Sequence, residues 1–266
     1  MTDRQIWRQF NTFQKRYERK YAKRVYRLLR RQARTVAAYL RENGTEQTIA
    51  AMSLLIRPQE ITALLRQLYT EVGVRWANIE YANIQDQVKS AVFVLETKAF
   101  GFNAEWEAIL NIFFSAYGGE KITSIDDTTK EWLIRKIIEG RNAGLGPEQI
   151  ARTMIDDKDI PLARARVISR TETVAATNFG GITAARKTGL RMVKRWVNAH
   201  DSRVRETHKD VAQGGVGGEV VPLEQPFSNG LMHPGDPQGG AKEVIQCRCI
   251  ASTRPARDSN GMPMRA

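Results

Sequence analysis

The helical character of the first part of the chain follows from residues 6–40, IWRQFNTFQKRYERKYAKRVYRLLRRQARTVAAYL. Apolar side chains recur along this stretch at steps of three and four residues, with one gap at Gln32: Ile6, Phe10, Phe13, Tyr17, Tyr21, Val25, Leu28, Val36 and Leu40. The spacing predicts one amphipathic helix of about 36 residues that ends near Asn43-Gly44. Because a long helix is stabilised mainly by tertiary packing, we expect its apolar stripe to pack on other helices or on a partner. An aromatic stripe of this kind is typical of a core rather than of a cofactor site.

Length and composition limit the class of protein. A chain of 266 residues predicts two domains, and 42% hydrophobic with 26% charged residues excludes wholesale disorder and collagen-like repeats. No apolar run reaches the roughly 18 residues that a membrane span needs, so no membrane partner is expected. Two cysteines cannot build a disulfide framework, which favours synthesis in a reducing compartment.

The charge is strongly basic and unevenly distributed. Lys plus Arg number 41 against 29 Asp plus Glu, a net charge of +12. Residues 1–42 hold 13 Lys/Arg and 3 acidic residues, a local excess of 10. This excess predicts a polyanionic partner, either nucleic acid or an acidic protein surface; the alternative is a solvated helix face. The candidate contact residues are Arg24, Arg27, Arg30, Arg31 and Arg34.

Further helices are predicted along the first half of the chain. A second helix should span residues 46–56, a third should begin at Pro58 and can reach Phe100, and a fourth should span 104–117 before Gly118-Gly119. Together they predict a helical bundle or arm over residues 1–120.

Residues 121–253 are predicted to form a second domain. A helix capped by Asp126 or Asp127 should run to Glu139, and the turn at Gly144–Pro147 should lead into a short helix to Ile155. This pair could be a DNA-reading helix-turn-helix or a hairpin used for packing.

The remaining elements of this domain should be one more long helix and a small sheet. The helix spans 163–187 and contains Gly180-Gly181, which indicates close packing or a kink. Short strands are expected at 194–198, at 219–223, near Phe227 and at 243–252, with a short helix at 201–211. The predicted fold class is therefore α+β: a mainly helical N-terminal region, then a small domain of helices and a short antiparallel sheet. Residues 254–266 are expected to be a disordered tail.

An ordered series of polar and aromatic residues lies between residues 164 and 253. It comprises Arg170-Thr171-Glu172, Asn178, Trp196, Asp201, Arg203, Arg205, His208, Gly214, Phe227, His233-Pro234-Gly235-Asp236-Pro237 and Cys247-Arg248-Cys249. The series resembles the phage head morphogenesis domain, the family of Mu F-like minor head proteins. The departures are Gln246, where the family usually has Asn, and a shifted glycine after His208.

The resemblance implies a minor capsid protein of a tailed phage or prophage, bound at the portal vertex inside the head and assisting assembly, DNA packaging or ejection. The implied partners are portal protein, major capsid or scaffold protein, and packaged double-stranded DNA bound without sequence specificity. The implied location is the virion, with the host cytoplasm during assembly. No enzymatic activity is implied.

Several residues of the series can be given roles from their spacing. Asp201 can cap the helix that follows it, and Arg205 and His208 should share a face of that helix. Pro234 and Pro237 should form a rigid turn that presents Asp236.

Four residues make a complete zinc ligand set: His208, His233, Cys247 and Cys249. Cysteines two apart on a strand point to the same face, and tetrahedral zinc takes four nitrogen or sulfur ligands. The alternatives are buried thiols with packed histidines, and a disulfide.

Two enzyme hypotheses remain as the alternative to a structural protein. Arg170, Thr171 and Glu172 could belong to an ADP-ribosyltransferase, but the Glu-x-Glu that such an enzyme needs is absent after Glu243. His200 and Asp201 are the only adjacent pair for a metal-dependent nuclease. Either enzyme would be delivered with the genome.

Overall fold

In a computed structural model that describes residues 2–88, 103–213 and 218–266, the chain forms eight α-helices and three β-strands. The elements are α1 (Asp3–Ala50), α2 (Met52–Leu55), α3 (Pro58–Val88), α4 (Asn103–Asn142), α5 (Pro147–Asp156), α6 (Asp159–Arg186), β1 (Met192–Val197), α7 (Glu206–Gln213), β2 (Val220–Pro222), α8 (Gly240–Val244) and β3 (Ile250–Pro255). A 3₁₀ turn, Pro237–Gly239, precedes α8. The predicted α+β class, mainly helical with a small antiparallel sheet, is confirmed. None of the described helices has both the length and the apolar character that crossing a membrane requires.

The first helix begins and breaks where its sequence indicates. Thr2 and Gln5 form a reciprocal capping box at its start. Gly44 has φ 77°, a left-handed value that interrupts the helical geometry at the predicted end. Helical residues resume as far as Ala50, so the helix predicted over 46–56 is divided between the end of α1 and α2.

The apolar stripe of α1 is buried within the chain itself. Tyr17, Tyr21 and Val25 share a core with residues of α3, α4 and α6, and Val36 and Leu40 share a second core with α4 and α5. The stripe is thus core, as predicted: its residues from Tyr17 to Leu40 are buried within the described part of the chain, and Ile6 and Phe13 are partly buried.

Helix α4 corrects two expectations. The predicted stop at Gly118-Gly119 and the separate helix starting at Asp126 or Asp127 are both wrong, because one helix runs through all of these residues. Each glycine costs about 1 kcal/mol relative to Ala in a helix, and packing outweighs that cost here. Phe114 lies over Gly118 and is itself buried in the first core. Residue 120, the expected domain boundary, therefore lies inside a continuous helix.

Helix α3 begins at Pro58, as predicted. Its predicted extent to Phe100 lies outside the described residues. The turn after α4 contains Gly144 at φ 73°, and Pro147 opens α5. Ile150, Ala151 and Met154 of α5 are fully buried against α1 and α4, so this helical pair is a packing hairpin.

Helix α6 is the most buried helix of the described chain, with its residues from Ser169 to Ala185 almost all inaccessible. The predicted close packing at Gly180-Gly181 is confirmed. A Cβ on Gly180 would lie 2.4 Å from the carbonyl oxygen of Gly73 in α3, and one on Gly181 would lie 3.3 Å from Trp76 Nε1. The backbones of α3 and α6 therefore touch.

The sheet has strand order β2-β1-β3, and both pairings are antiparallel. Lys194 of β1 lies opposite Val221 on one side and Thr253 on the other. Two strand predictions need correction. Phe227 lies in a turn closed by its own hydrogen bonds with Leu231 and Gly230, and Glu243 belongs to α8, so the last strand begins only at Ile250.

The tail, residues 254–266, is paired rather than disordered. Arg191 donates its backbone N–H to Met264 and accepts one from Ala256, and Met264 in turn donates to Ala256. The Arg257 side chain donates to the carbonyl of Gln87 at 2.9 Å. These backbone hydrogen bonds hold the tail against the residues that precede β1, and composition alone does not predict them.

Arg30 differs from the other arginines of α1 because its side chain is buried. It donates to the carbonyl oxygens of Ile155 and, at 2.8 Å, of Asp157. These carbonyls end α5, where a cation is favoured by the helix dipole and by carbonyls that lack helical partners. The prediction that Arg30 contacts nucleic acid or portal is therefore wrong.

Gly180→Ala should destabilise the protein, since the new methyl group would force apart the backbones of α3 and α6. Overpacking of this kind costs about 1–3 kcal/mol, more than the helix propensity that alanine adds. Gly119→Ala is the matched control: a Cβ there meets nothing within 4 Å, so the same substitution should stabilise by about 0.4–1 kcal/mol. Urea unfolding measures both, and equal stabilities for the two variants would contradict the helix contact.

Arg30→Gln should lower the free energy of unfolding by about 1.5–3 kcal/mol, the usual contribution of hydrogen bonds to a charged group. Arg27→Gln, on the same helix and exposed, should change it by no more than about 0.5 kcal/mol. Thermal unfolding of the two variants beside the parent tests this difference. Equal effects would mean that Arg30 does not support the end of α5.

Candidate functional site

The loop of residues 246–249 is tied to α6 by its backbone. Gln246 has φ 58°, and its N–H donates to Thr171 Oγ1 at 3.0 Å. Asn178 Nδ2 donates to the carbonyl of Cys249 at 3.2 Å, and Asn178 Oδ1 accepts from Ala251 N at 2.7 Å. Asparagine adopts the left-handed conformation more readily than glutamine, which explains why Asn is usual at position 246 in the pattern that this chain resembles.

This loop and α7 bring together three of the four predicted zinc ligands. Cys247 Sγ and Cys249 Sγ each lie 3.7 Å from His208 Nδ1. All three side chains are buried, both cysteines are free thiols, and the potential ligand atoms lie within 4.8 Å of one another. On the other side of the imidazole, His208 Nε2 lies 3.0 Å from Glu243 Oε2, although the carboxylate is off the line of the N–H.

The fourth predicted ligand, His233, does not join this cluster. Its ring packs beside Phe113 and Phe179, and Nδ1 lies 3.1 Å from the carbonyl of Pro234. Burial lowers the pKa of His233, which favours a neutral ring. The prediction of this residue as a ligand of the same site is therefore wrong, because the sequence does not show that the Pro234 turn is packed against α4 and α6.

The two thiols are electrostatically coupled. Cys249 donates to the Cys247 sulfur, which lowers the pKa of Cys247 and raises the pKa of Cys249. Burial opposes ionisation of both, and the ring of His208 favours the thiolate form of Cys247. The sulfur of Cys247, as the thiol with the lowered pKa, is thus the stronger electron-pair donor of the two.

Arg248, between the cysteines, turns away from them toward Asp201. The two side chains form a bidentate ion pair, with Nη2 2.7 Å from Oδ1, and this guanidinium holds the pKa of Asp201 well below its usual range. Asp201 also accepts from Arg203 N at 3.0 Å. It therefore caps a turn; the expectation that it caps a helix is wrong, because α7 begins only at Glu206.

The other arginines of the predicted series have separate surroundings. Arg203 is exposed and lies 3.3 Å from Asp201, whereas Arg205 Nη2 donates to the carbonyl of Ile245. Arg205 therefore holds the chain just ahead of the cysteine loop, while His208 points inward as expected.

Arg170 and Glu172 connect α6 to different neighbours. Arg170 pairs with Glu18 of α1 at 2.8 Å and donates to Gln246 Oε1 at 3.2 Å. Glu172 is buried and accepts hydrogen bonds from Tyr69 Oη at 2.7 Å and Lys121 Nζ at 3.2 Å.

Trp196 and Asp236 hold the centre and edge of the small domain. Trp196 is buried edge-on to His208 and to Phe227. Asp236 is buried rather than presented: its carboxylate accepts from Met232 N at 2.8 Å and Gln238 N at 3.0 Å. Asp236 thus bonds to the backbone of its own turn, which corrects the expectation of a displayed side chain.

Lys194 is a buried group that sequence reasoning did not single out. Its Nζ donates to the carbonyl of Met232 at 2.7 Å, over the ring of Phe227, and burial lowers its pKa to about 8. Only its position inside an alternating strand could have indicated burial.

Neither predicted enzyme site is assembled in the described part of the chain. His200 is exposed, and the carboxylate of its neighbour Asp201 is engaged by Arg248. Glu172 is enclosed by Tyr69 and Lys121, without the second carboxylate of an ADP-ribosyltransferase. Among the described residues, His208, Cys247 and Cys249 form the one cluster with metal-ligand spacing.

The remaining arginines predicted to meet a polyanion lie on α1. Arg27 and Arg34 are exposed, Arg24 lies over the ring of Tyr21, and Arg31 pairs with Glu60 at 2.9 Å on the surface.

Comparisons with known proteins point to phage heads. A family model described as Phage Mu protein F like protein matches residues 132–252. Minor head protein GP7 of Bacillus phage SPP1 is 30% identical over 141 residues, which cover 47% of this chain and 44% of the phage protein. NAD(+)--arginine ADP-ribosyltransferase EFV of Enterococcus faecalis (strain ATCC 700802 / V583) is 25% identical over 150 residues, covering 53% of this chain and 30% of that protein.

This chain spans less than half the length of these two relatives. No solved structure matches it. The matched residues 132–252 contain the whole series from Arg170 to Cys249 on which the resemblance rests, and this part of the chain is similar to the Phage Mu protein F like family.

Proposed function

We propose that this chain is a minor head protein of a tailed phage or prophage, which acts in head morphogenesis at the portal vertex inside the capsid. The observation that carries the proposal is the Mu F-like segment at residues 132–252, together with the 30% identity to a minor head protein. Portal protein and packaged DNA are the proposed partners, with major capsid or scaffold protein as further contacts during assembly in the host cytoplasm.

The proposed role is structural rather than enzymatic. The series that defines the family segment is occupied by internal contacts: Arg170 with Glu18, Asp201 with Arg248, and Asp236 with its own turn. Side chains committed in this way orient elements and are not available to a substrate. The similarity to an ADP-ribosyltransferase covers 30% of that enzyme, and the carboxylate of the Arg-Thr-Glu series, Glu172, is buried against Tyr69 and Lys121.

The surface proposed to face DNA is a basic stripe on the first half of α1, defined by Lys15, Arg19, Lys23 and Arg27. These residues recur every four positions, so they lie on one helix face, and all four are exposed. The stripe extends about 18 Å at 1.5 Å per residue, long enough to follow several phosphates. None of the four forms an ion pair with a carboxylate in the described part of the chain, so their charge remains available to an external polyanion.

Replacing Lys15, Arg19, Lys23 and Arg27 with Gln should weaken binding of the full chain to duplex DNA and flatten its salt dependence. Each neutralised phosphate contributes about 0.9 to the slope of log K against log salt, so the slope should fall by about 3–4. Fluorescence anisotropy with unrelated DNA sequences measures this.

The matched control for the basic stripe replaces four other exposed basic residues with Gln, namely Arg135, Arg141, Lys158 and Arg166. It removes the same total charge and should leave the slope near that of the parent. Equal loss in both variants would show that only net charge matters, and no loss in either would remove DNA from the proposed partners.

The portal location predicts which particles contain the protein. Heads assembled with portal protein should contain this chain, whereas heads assembled without portal protein should lack it. Quantitative mass spectrometry, normalised to the major capsid protein, measures the difference. Equal amounts in the two kinds of head would contradict portal binding and leave only a general head location.

A further inference from the structure

We propose that His208 Nδ1, Cys247 Sγ and Cys249 Sγ bind a single zinc ion, with the fourth tetrahedral position left to a water molecule. The proposal concerns the inside of the small domain and stands whether or not the chain acts at the portal. It differs from the ligand set predicted from sequence in excluding His233.

The spacing of the three donor atoms is that of ligands around one ion. Zinc lies at about 2.0–2.1 Å from imidazole nitrogen and about 2.3 Å from thiolate sulfur, so tetrahedral angles place nitrogen and sulfur about 3.6 Å apart. Both sulfurs lie 3.7 Å from His208 Nδ1. An ion can therefore occupy the space between the three atoms without rearrangement of the backbone.

The chemistry of the donors selects the metal. Two thiolates and one imidazole form a soft set that suits zinc, whereas calcium and magnesium take oxygen ligands. No carboxylate oxygen joins the three donors within the described cluster. Glu243 lies instead behind the imidazole, 3.0 Å from Nε2.

Glu243 Oε2 lies 3.0 Å from His208 Nε2 but off the line of its N–H, and a small rotation of the imidazole would give the hydrogen bond by which a carboxylate orients a metal-binding histidine. A proton on Nε2 next to this carboxylate leaves the lone pair of Nδ1 facing the two sulfurs. Thr207 Oγ1 donates to the same Glu243 oxygen at 2.9 Å, which fixes the carboxylate. Glu243 is thus a positioning residue, and it lies on α8, where the sequence did not place it.

The cysteine loop is held in the binding conformation by contacts that do not involve the ligand atoms. Thr171 and Asn178 of α6 bond to the backbone at Gln246 and Cys249, and Trp7 of α1 donates to the carbonyl of Arg248 at 3.1 Å. These bonds set the positions of the two sulfurs before a metal arrives, which lowers the ordering cost of binding. The bound ion would join α7 to the residue before β3 and cross-link the small domain.

Metal content of the purified full chain tests the site directly. The parent protein, prepared under reducing conditions, should contain about one zinc per chain by plasma mass spectrometry, and metal removal should lower its Tm. His208→Asn and Cys249→Ser should lose most of the zinc. His233→Asn and the exposed variant His200→Gln are the histidine controls and should keep it.

A spectroscopic measurement on the parent protein covers the case in which ligand variants fail to fold. Exchange of zinc for Co²⁺ should produce sulfur-to-cobalt charge-transfer absorption and the intense visible bands of tetrahedral cobalt. Glu243→Gln should retain these bands while weakening metal affinity about 10–100-fold, as loss of an orienting carboxylate does. Folded parent protein without zinc, cobalt uptake without thiolate bands, or a Cys247–Cys249 disulfide in reduced preparations would each overturn the proposal.

Discussion

The arrangement of the whole molecule depends on the contact between the backbones of α3 and α6 at Gly73 and Gly180. The carbonyl oxygen of Gly73 occupies the place that a Cβ of Gly180 would need, 2.4 Å away. With two glycines in contact, α6 sinks deeply enough to touch α1, α3 and β3 at once. Its burial over Ser169–Ala185 is the consequence, and polar groups on that stretch then require partners inside the protein. Ser169 Oγ and Thr173 Oγ1 are the exceptions on this stretch that have no hydrogen-bond partner in the described part of the chain.

That requirement gives a physical meaning to the Arg-Thr-Glu series of α6. Three successive residues of a helix point about 100° apart, so they face three different neighbours. Arg170 reaches α1, Thr171 holds the backbone of Gln246, and Glu172 joins α3 to α4 through Tyr69 and Lys121. Asn178, two turns farther on, fixes the residues that lead into β3. The polar Arg-Thr-Glu series thus organises a helix junction.

Sequence periodicity predicts those elements in which the buried residues repeat with the period of a single helix or strand. These are α1 as far as its break at Gly44, the start of α3 at Pro58, and α6, β1 and β2. Periodicity fails where tertiary contacts outweigh local preference. Helix α4 continues through Gly118, where Phe114 packs over the glycine. Glu243 lies in α8, whereas the sequence pattern predicts one strand over residues 243–252. Because cysteine and histidine are rare in this chain, the sequence indicates the three proposed zinc ligands His208, Cys247 and Cys249. The exclusion of His233 requires knowing that its turn packs against Phe113 and Phe179.

The basic face of α1 shows most clearly what a helical pattern can and cannot separate. Arg30 falls on the same face as Arg19 and Lys23 when positions are counted at 100° per residue. Its environment differs because α5 lies across that part of α1. Arg30 donates to a carbonyl at the end of α5, and Arg41 Nε forms an ion pair with Oε2 of Glu148, in the first turn of α5, at 2.7 Å. The same covering helix therefore divides one continuous run of positive charge into a part that is paired within the protein and a part that is exposed. Beyond residue 28, Arg30 and Arg41 interact with α5 and Arg31 pairs with Glu60, so most of this charge has a partner within the fold. Before residue 28, Lys15, Arg19, Lys23 and Arg27 face solvent while the opposite side of the helix packs in the core, so most of the unpaired positive charge of this helix lies on its N-terminal half, with Arg34 as a further exposed residue.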